Sequence, residues 1–361
     1  DFYGGQYAPL AFLSYLVLYA GFGYDPFYFH MFSLLLHIGC VCLVWKLISS
    51  LLRVHGGVSE KQILYVNFIT TLLFAVHPIN VEAVAWISAL KVLLYAFFYL
   101  LGLLCYLRYI RTSKIFYYVL TIGCFLCSFW GKEQAVTFPL ALLIVDWFTN
   151  RNMKNLEVWS EKMSFLIMAF FFGIITVLSQ GKGPYEMIFP LYQRLLFGCF
   201  ALVEYITKSL LPVNLNFFYP FPIVLGEEPP LHYYLYPVVL LFLMGWIIAY
   251  RNNRYLVFGV LLFLVNLLFS IHLFNMSRHA IVADRYMYLS YVGIAFLIAN
   301  GIWWLRKRLS YFKAALVFLF FYCFFLSVYT FHYTKKWENT TMVKKYTKEV
   351  LEKRLNGSNH L

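Results

Sequence analysis

Long apolar runs alternate with short polar loops along most of the chain. Several of these runs approach the roughly 20 residues that a helix needs to cross a bilayer, whereas the second and the fifth are short. The pattern predicts an all-α polytopic membrane protein with about ten transmembrane helices. They are predicted at residues 26–52, 62–76, 80–107, 115–130, 134–148, 160–178, 232–250, 255–272, 285–305 and 312–331.

Three further segments are predicted to lie outside the bilayer core. Residues 1–23 contain a short helix that Pro9 opens and that glycines interrupt, which indicates an interfacial helix. Residues 191–211 carry Arg194, Glu204 and Lys208, so we expect them along the membrane surface or as a re-entrant segment. Residues 334–361 show helical apolar spacing and are predicted to begin a soluble helix that needs a partner.

The basic residues set the predicted orientation. About half of the 29 lysines and arginines fall in alternate loops of the ten-helix arrangement, and the positive-inside rule makes that side cytoplasmic. The His77-Pro78 turn, the turn at 132–133 and residues 179–230 and 275–284 then face outward, as does the tail.

Composition agrees with this class of protein. Of 361 residues, 62% are hydrophobic and only 12% are charged. The net charge of +13 is therefore attributed to basic residues gathered on the cytoplasmic side of the membrane, and not to nucleic-acid binding. The seven cysteines all fall in apolar runs, where we expect small buried side chains. Neither a disulfide framework nor a metal site is predicted from them.

Ionisable residues near the predicted outer mouth are the candidates for chemistry, because charges at membrane depth are costly and usually line a cavity. Glu82 could orient or deprotonate an acceptor, or it could simply favour a helix start. Lys91 lies half a turn out of phase with Glu82 on a regular helix, which favours pairing inside the bundle over substrate contact. Lys132 could hold an anion at a turn where Glu133 begins the next helix.

A second group of candidates precedes the ninth predicted helix. Arg285 suits a phosphate because its guanidinium donates in a fork, and Arg278 lies just upstream. The alternative is an arginine that binds ordinary lipid headgroups. Asp284 is predicted to cap the following helix, beside Tyr286. His77 is expected to satisfy a local backbone group more readily than to act in catalysis.

Five stretches in order resemble the membrane part of the transmembrane and tetratricopeptide-repeat family, which includes protein O-mannosyltransferases. They are GQYAPLAFLSYL, HPINVEAVAWISALK, GKEQAVTFPLALLIVDW, NLNFFYPFP and ADRYMYLSYVG. The resemblance implies a C-type glycosyltransferase fold, a polyprenyl-phosphate-linked sugar donor and chemistry at the outer membrane face. It carries over these residues as site candidates: His77, Glu82, Lys91, Lys132, Glu133, Asp284, Arg285 and Tyr286.

The resemblance also implies that a carboxylate in the first outer loop acts as the base. That acidic pair precedes the stretch matching residues 5–9, so we expect it, with a first span, upstream of Asp1. Residues 1–333 are then the transferase-like membrane domain, and residues 334–361 lead toward tetratricopeptide repeats.

The predicted function is a membrane glycosyltransferase that moves a sugar from a polyprenyl phosphate to an acceptor protein or glycan. Arg285, Lys132, Arg194 and Arg278 are the predicted phosphate ligands, with Glu82 in support. The remaining pocket residues are His77, Lys91, Glu133, Asp284 and Tyr286. No cofactor beyond the donor is predicted, and a divalent metal is left open.

Membrane lipids and the subunits of a membrane complex are further expected partners. The alternatives are a non-enzymatic scaffold subunit with the same fold, and a transporter. The residues of the five motifs resemble those of bacterial relatives more, which favours a bacterial inner membrane with a periplasmic active face. The endoplasmic reticulum is the alternative.

Overall fold

The computed structural model describes residues 7–180, 189–272 and 280–358. These ranges form α-helices joined by 3-10 turns, short loops and one longer irregular segment at residues 211–230, from which Tyr219 makes an isolated antiparallel bridge to Val282. The α-helices are α1 (Pro9–Phe22), α2 (Pro26–His55), α3 (Glu60–Val76), α4 (Val81–Ala85), α5 (Leu90–Thr112), α6 (Ile115–Gly131), α7 (Phe138–Phe148), α8 (Leu156–Gln180), α9 (Leu191–Leu210), α10 (Leu235–Ala249), α11 (Arg254–Leu267), α12 (Met287–Trp304), α13 (Leu309–Thr334) and α14 (Thr340–Ser358).

Six helical segments in the described part of the chain are long and apolar enough to cross a membrane, which marks an integral membrane protein. They are Pro26–His55, Ile87–Thr112, Leu156–Ile175, Leu231–Ala249, Asp284–Lys307 and Leu309–Trp337. A seventh arises if α3 and α4, which are bent by 50° at the His77-Pro78 turn, count as one span. The ten predicted apolar segments all contain helices, but α6, α7 and α11 are shorter than a full span.

The predicted single helix over residues 80–107 is wrong, because the chain breaks at Trp86. Trp86 is extended (φ −85°, ψ 111°) and separates α4 from a 3-10 turn at Ile87–Ala89, after which α5 begins. The Ile87 carbonyl accepts a hydrogen bond from the Tyr15 hydroxyl of α1 at 2.7 Å. This carbonyl also accepts from the Leu90 backbone N–H, so the bond from α1 is a second one that ties α1 to the break.

The core of the bundle forms around two central helices. Helix α5 packs against α2 and α6, and α12 packs against α3 and α11. Helices α10 and α13 instead leave most of their apolar side chains exposed, as lipid-facing helices do. Among the cysteines, Cys40, Cys124 and Cys323 are buried, but Cys42 is exposed, so the expectation of uniformly buried thiols is wrong.

Helix α9 is amphipathic with its polar face inward. It buries Gln193, Lys208 and Ser209, while apolar side chains such as Leu195 are exposed. It is not among the segments that meet the criteria for a membrane span. The predicted soluble helix of the tail is α14, and its partner lies within the chain: Val343 packs with Val81, Leu215 and Trp337.

A four-charge network joins α5, α7 and α8 at the end of the bundle predicted to be cytoplasmic. Arg151 donates to Asp146 at 3.2 Å and, through both guanidinium arms, to Glu161 at 2.6 and 2.9 Å. Lys162 is fully buried, pairs with Asp146 and donates to Glu161 at 2.9 Å, and the Tyr106 hydroxyl donates to Asp146. Two cations are thus matched by two carboxylates, which gives Asp146 a structural role.

Candidate active site

The site begins at the bend between α3 and α4. Helix α3 ends at Val76, and Pro78 opens the 3-10 turn Pro78–Asn80, because proline lacks the N–H that would continue the helix. His77 Nδ1 accepts a hydrogen bond from the Ile79 backbone nitrogen at 3.2 Å, and its ring packs on Tyr291 with centroids 4.2 Å apart. His77 therefore holds the bend and satisfies a local backbone group.

Just past the bend, Glu82 of α4 meets Arg285, more than 200 residues away along the chain. Glu82 Oε1 accepts from Arg285 Nη1 at 2.5 Å, and Glu82 Oε2 accepts from the Arg285 backbone nitrogen at 2.7 Å. The Glu82 side chain is 0% exposed. Because both oxygens are engaged by Arg285, Glu82 has the geometry of a group that positions the arginine.

Aromatic rings surround the Arg285 guanidinium. Its central carbon lies 5.4 Å from the centroid of Trp86 and 5.1 Å from that of Tyr286. These distances suit cation–π attraction, which orients a guanidinium and leaves its N–H donors at the ring edge. The extended backbone at Trp86 is what brings this ring beside Arg285.

Tyr286 has a second cation on its ring. Lys132 Nζ lies 4.6 Å from the Tyr286 centroid, and the residue is only 2% exposed. Lys132 follows α6 directly in an extended conformation. Gly131 permits this placement, because a Cβ there would lie 2.8 Å from the Tyr95 backbone nitrogen of α5.

Lys91 joins the same group electrostatically. It interacts with Glu133, with Arg285 and with Tyr286. The break at Trp86 removes the premise that Glu82 and Lys91 lie on one regular helix, so their phase on such a helix does not decide whether they share a site. The structure thus places Lys132 and Arg285 on the Tyr286 ring, with Glu82 paired to Arg285 and with Lys91 in electrostatic interaction with Glu133 and Arg285.

Asp284 does not cap a helix, so the prediction of a helix cap is wrong. It supports the site through a buried hydrogen bond. Its carboxylate is 1% exposed and accepts from the Tyr219 hydroxyl at 3.0 Å, while Ala283 is the residue before the 3-10 turn. Burial, with the adjacent Asp284 carboxylate, raises the pKa of Tyr219 well above its usual range, so this phenol stays a donor. Lys208 Nζ lies 4.5 Å from the Tyr219 ring centroid and 3.5 Å from Glu204.

No contact in the described ranges joins Arg194, another predicted phosphate ligand, to this group. Arg194 lies in the first turn of α9, and its Nε is buried with no hydrogen-bond partner in the described ranges. Arg278 lies outside the described residues. In the same ranges no group of three or more His, Cys, Asp or Glu side chains is placed to hold a metal ion.

Sequence reasoning missed Trp86, Tyr219 and Lys208 as parts of the site. Trp86 lies inside the motif at residues 77–91, but nothing in its neighbours signals a helix break. Tyr219 lies in the aromatic connector, and Lys208 entered only as evidence against a span. The spacing of four residues between Glu204 and Lys208 was the signal that could have indicated an ion pair on this helix.

The fold and site define a polytopic membrane protein with a buried, cation-rich cluster near a helix bend. The chain is similar to "Protein O-mannosyl-transferase tmtc2" of Xenopus laevis, with 30% identity over 184 residues, which cover 49% of this chain and 21% of that protein. It is 34% identical over 160 residues to "Protein O-mannosyl-transferase TMTC2" of Homo sapiens, covering 42% and 18%. For "Protein O-mannosyl-transferase Tmtc3" of Drosophila melanogaster the identity is 28% over 172 residues, covering 42% and 18%.

The matched region thus spans about a fifth of the length of these curated relatives. No protein-family model matches the chain, and no solved structure matches it.

Proposed function

We propose that the chain belongs to the transmembrane and tetratricopeptide-repeat family and is a membrane glycosyltransferase. It transfers a sugar, mannose by analogy with the relatives' names, from a polyprenyl phosphate to a protein hydroxyl. The observation that carries this proposal is that Lys132 and Arg285 share the Tyr286 ring, with Glu82 paired to Arg285 and Lys91 in electrostatic interaction with it.

The charge of this group suits an anionic donor. The groups around Tyr286 carry three positive charges against the two carboxylates of Glu82 and Glu133. Lys208 interacts with Asp284 and also pairs with Glu204 at 3.5 Å, so the positive surplus is confined to the groups beside the Tyr286 ring. The surplus favours a phosphate, and Arg285 has the forked donors that phosphate oxygens accept.

The proposed reaction is a direct displacement at the anomeric carbon. The acceptor oxygen forms a bond to that carbon while the bond to the phosphate oxygen breaks, and the proton passes to a carboxylate base. The family resemblance puts this base in an acidic pair before the stretch matching residues 5–9. Arg285 and Lys132 stabilise the negative charge that develops on the departing phosphate. Arg194 and Arg278 are proposed as outer phosphate contacts.

Within this scheme Glu82 is a positioning residue. It fixes the Arg285 guanidinium and the Arg285 backbone together, so the donor N–H groups are preorganised before the donor arrives. Asp284 is likewise a positioning residue: it accepts a hydrogen bond from the Tyr219 hydroxyl and so holds the turn that carries Arg285.

The proposed fold, membrane orientation and location are those predicted from the sequence. The chain has a C-type glycosyltransferase fold of about ten spans within residues 1–333, with the short α6, α7 and α11 completing them. The site faces away from the cytosol, and residues 334–361 lead outward. A bacterial inner membrane is the proposed location, because the motif residues resemble those of bacterial relatives more. The endoplasmic reticulum is the alternative.

The sharpest test is Arg285→Lys. Arg285→Ala would leave Glu82 buried without its partner, whereas lysine keeps the charge but loses the forked donors. We expect transfer from radiolabelled polyprenyl-phosphate mannose to a threonine peptide to fall about a hundredfold in proteoliposomes. Arg306→Lys is the matched control, because Arg306 also lies over a tryptophan ring but is exposed.

Equal turnover of the two variants would remove Arg285 from the reaction. A wild-type protein that transfers nothing from any polyprenyl-phosphate sugar would favour the scaffold alternative. The transporter alternative requires paired broken helices; the described ranges contain one bent pair, α3 with α4.

A further inference from the structure

A large groove is lined by Trp86, whose ring also contacts Arg285 of the charged cluster. Its volume is about 990 Å³, and it runs between the start of α2, the break at Trp86 and the first turns of α14. Trp86, Phe217 and Trp337 form its aromatic side, with Trp86 packed edge-on against Phe217 at 5.1 Å. The groove adjoins the Arg285 site, because the Arg285 guanidinium lies over the same Trp86 ring.

The wall formed by α14 is held to the body of the protein. Val343 packs in a cluster with Val81 and Leu215, and the Thr347 hydroxyl donates to Asn216 Oδ1 at 3.1 Å. Burial raises the pKa of Tyr346, from the same helix, to about 12. The groove is therefore a built feature of the folded chain, with two fixed sides.

The surface of the groove is mostly apolar but carries hydrogen-bonding groups along it, which a polypeptide can use and a lipid chain cannot. About half of the lining side chains are polar or charged, among them Ser88, Asn339, Thr340 and Thr347. A polyprenyl tail offers no hydrogen bonds to such groups, and burying them against it would be costly. An extended polypeptide has backbone donors and acceptors along its whole length and side chains that can fill aromatic pockets.

Charge and size agree with this occupant. Lysines and glutamates both line the groove, as Lys344, Lys348, Glu338 and Glu352 do, so it lacks the positive surplus that an anion would need. Its volume is at the upper end of ordinary ligand pockets, about 300 to 1,000 Å³, which exceeds the need of a single sugar and admits several residues.

We propose that this groove binds the acceptor as an extended polypeptide segment and delivers its Ser or Thr hydroxyl past Trp86 to the Arg285 site. The proposal rests on the proposed function for the identity of the hydroxyl as acceptor. Binding of the segment is a separate property, and it can be measured in the absence of any sugar donor.

The test compares two neighbouring threonines at the start of α14. Thr340 lines the groove and Thr341 does not, and both are exposed. A fluorescein-labelled, twelve-residue peptide with one threonine is titrated with the full chain in lipid nanodiscs, without donor. We expect Thr340→Trp to weaken binding by about tenfold or more, equivalent to about 1.4 kcal/mol, and Thr341→Trp to change it less than about twofold.

Equal affinities of the two variants, or no binding by the wild type, would overturn the groove as the acceptor site. Displacement of the peptide by polyprenyl phosphate would also overturn it, because the groove would then hold the donor. If Thr340→Trp alone loses the peptide while the wild type transfers no sugar, the groove stands and the proposed function fails. Matching thermal unfolding curves for both variants exclude a folding defect as the cause.

Discussion

At the scale of single residues, the pairing of Glu82 with Arg285 dominates the site. A buried carboxylate and a half-buried guanidinium contact each other, and Glu82 also accepts from the Arg285 backbone nitrogen. Removing one partner of such a pair usually costs about 3 to 5 kcal/mol, because the remaining charge is buried without compensation. Their separation along the sequence makes this pair a link between the two halves of the chain.

This coupling is measurable by a double-mutant cycle. Glu82→Gln and Arg285→Gln should each lower the unfolding free energy, and the double variant should lose less than the sum by up to about 3 kcal/mol. Thermal unfolding in detergent micelles is the measurement. The exposed pair Arg53–Glu60, at 3.2 Å, is the control and should couple by less than about 1 kcal/mol. Additive losses at Glu82 and Arg285 would contradict the pairing.

At the scale of elements, the crossing of α11 and α12 fixes where the Arg285 turn begins. Gly259 and Gly293 face each other, and a Cβ on Gly293 would lie 2.5 Å from the Gly259 carbonyl oxygen and 2.7 Å from the Phe263 nitrogen. Small residues allow this close approach of two membrane helices. Helix α12 continues directly from the 3-10 turn that carries Arg285, so a shift of α12 would move the site.

Gly293→Ala should therefore separate the two helices and destabilise the protein by about 1 to 3 kcal/mol, the usual range for overpacking. Gly301→Ala on the same helix is the matched control, because a Cβ there meets no atom within 4 Å. It should be neutral or slightly stabilising, since alanine is the better helix former. Melting temperatures in micelles distinguish the two, and equal shifts would argue against a close crossing.

At the scale of the whole molecule, sidedness depends on where the basic residues lie. Arg151 and Lys162 lie at the end of the bundle predicted to be cytoplasmic, yet both are held in the network with Asp146 and Glu161. The proposed orientation thus relies on the exposed arginines and lysines of the other loops, such as Arg108, Lys114 and Arg306.

Cysteine labelling checks this orientation. In sealed, right-side-out vesicles an impermeant maleimide should modify Ser88→Cys, which lines the outer groove, above the background of the unsubstituted chain. Lys114→Cys, in the exposed loop between α5 and α6, should react only after the membrane is opened. The reverse pattern would put the site on the cytosolic side and contradict the proposed topology.

Sequence patterns predicted those parts of the structure that local chemistry dictates. The bend at His77-Pro78 follows from a proline that cannot continue α3, and apolar run length indicated the helices. The motif order pointed to Glu82, Lys132 and Arg285, and the structure brings these residues together. The break at Trp86 could not be predicted, because no glycine or proline causes it and the tertiary contacts to Tyr15 and Phe217 accompany it.

The network of Asp146, Arg151, Glu161 and Lys162 has an electrical consequence. Moving one elementary charge through 100 mV changes its energy by about 2.3 kcal/mol, so any uncompensated ion in a bundle responds to the voltage across the bilayer. Two positive and two negative groups in mutual contact sum to zero, and the field exerts no net force on them. The network therefore crosses its part of the bundle without adding a net charge on which the membrane potential could act.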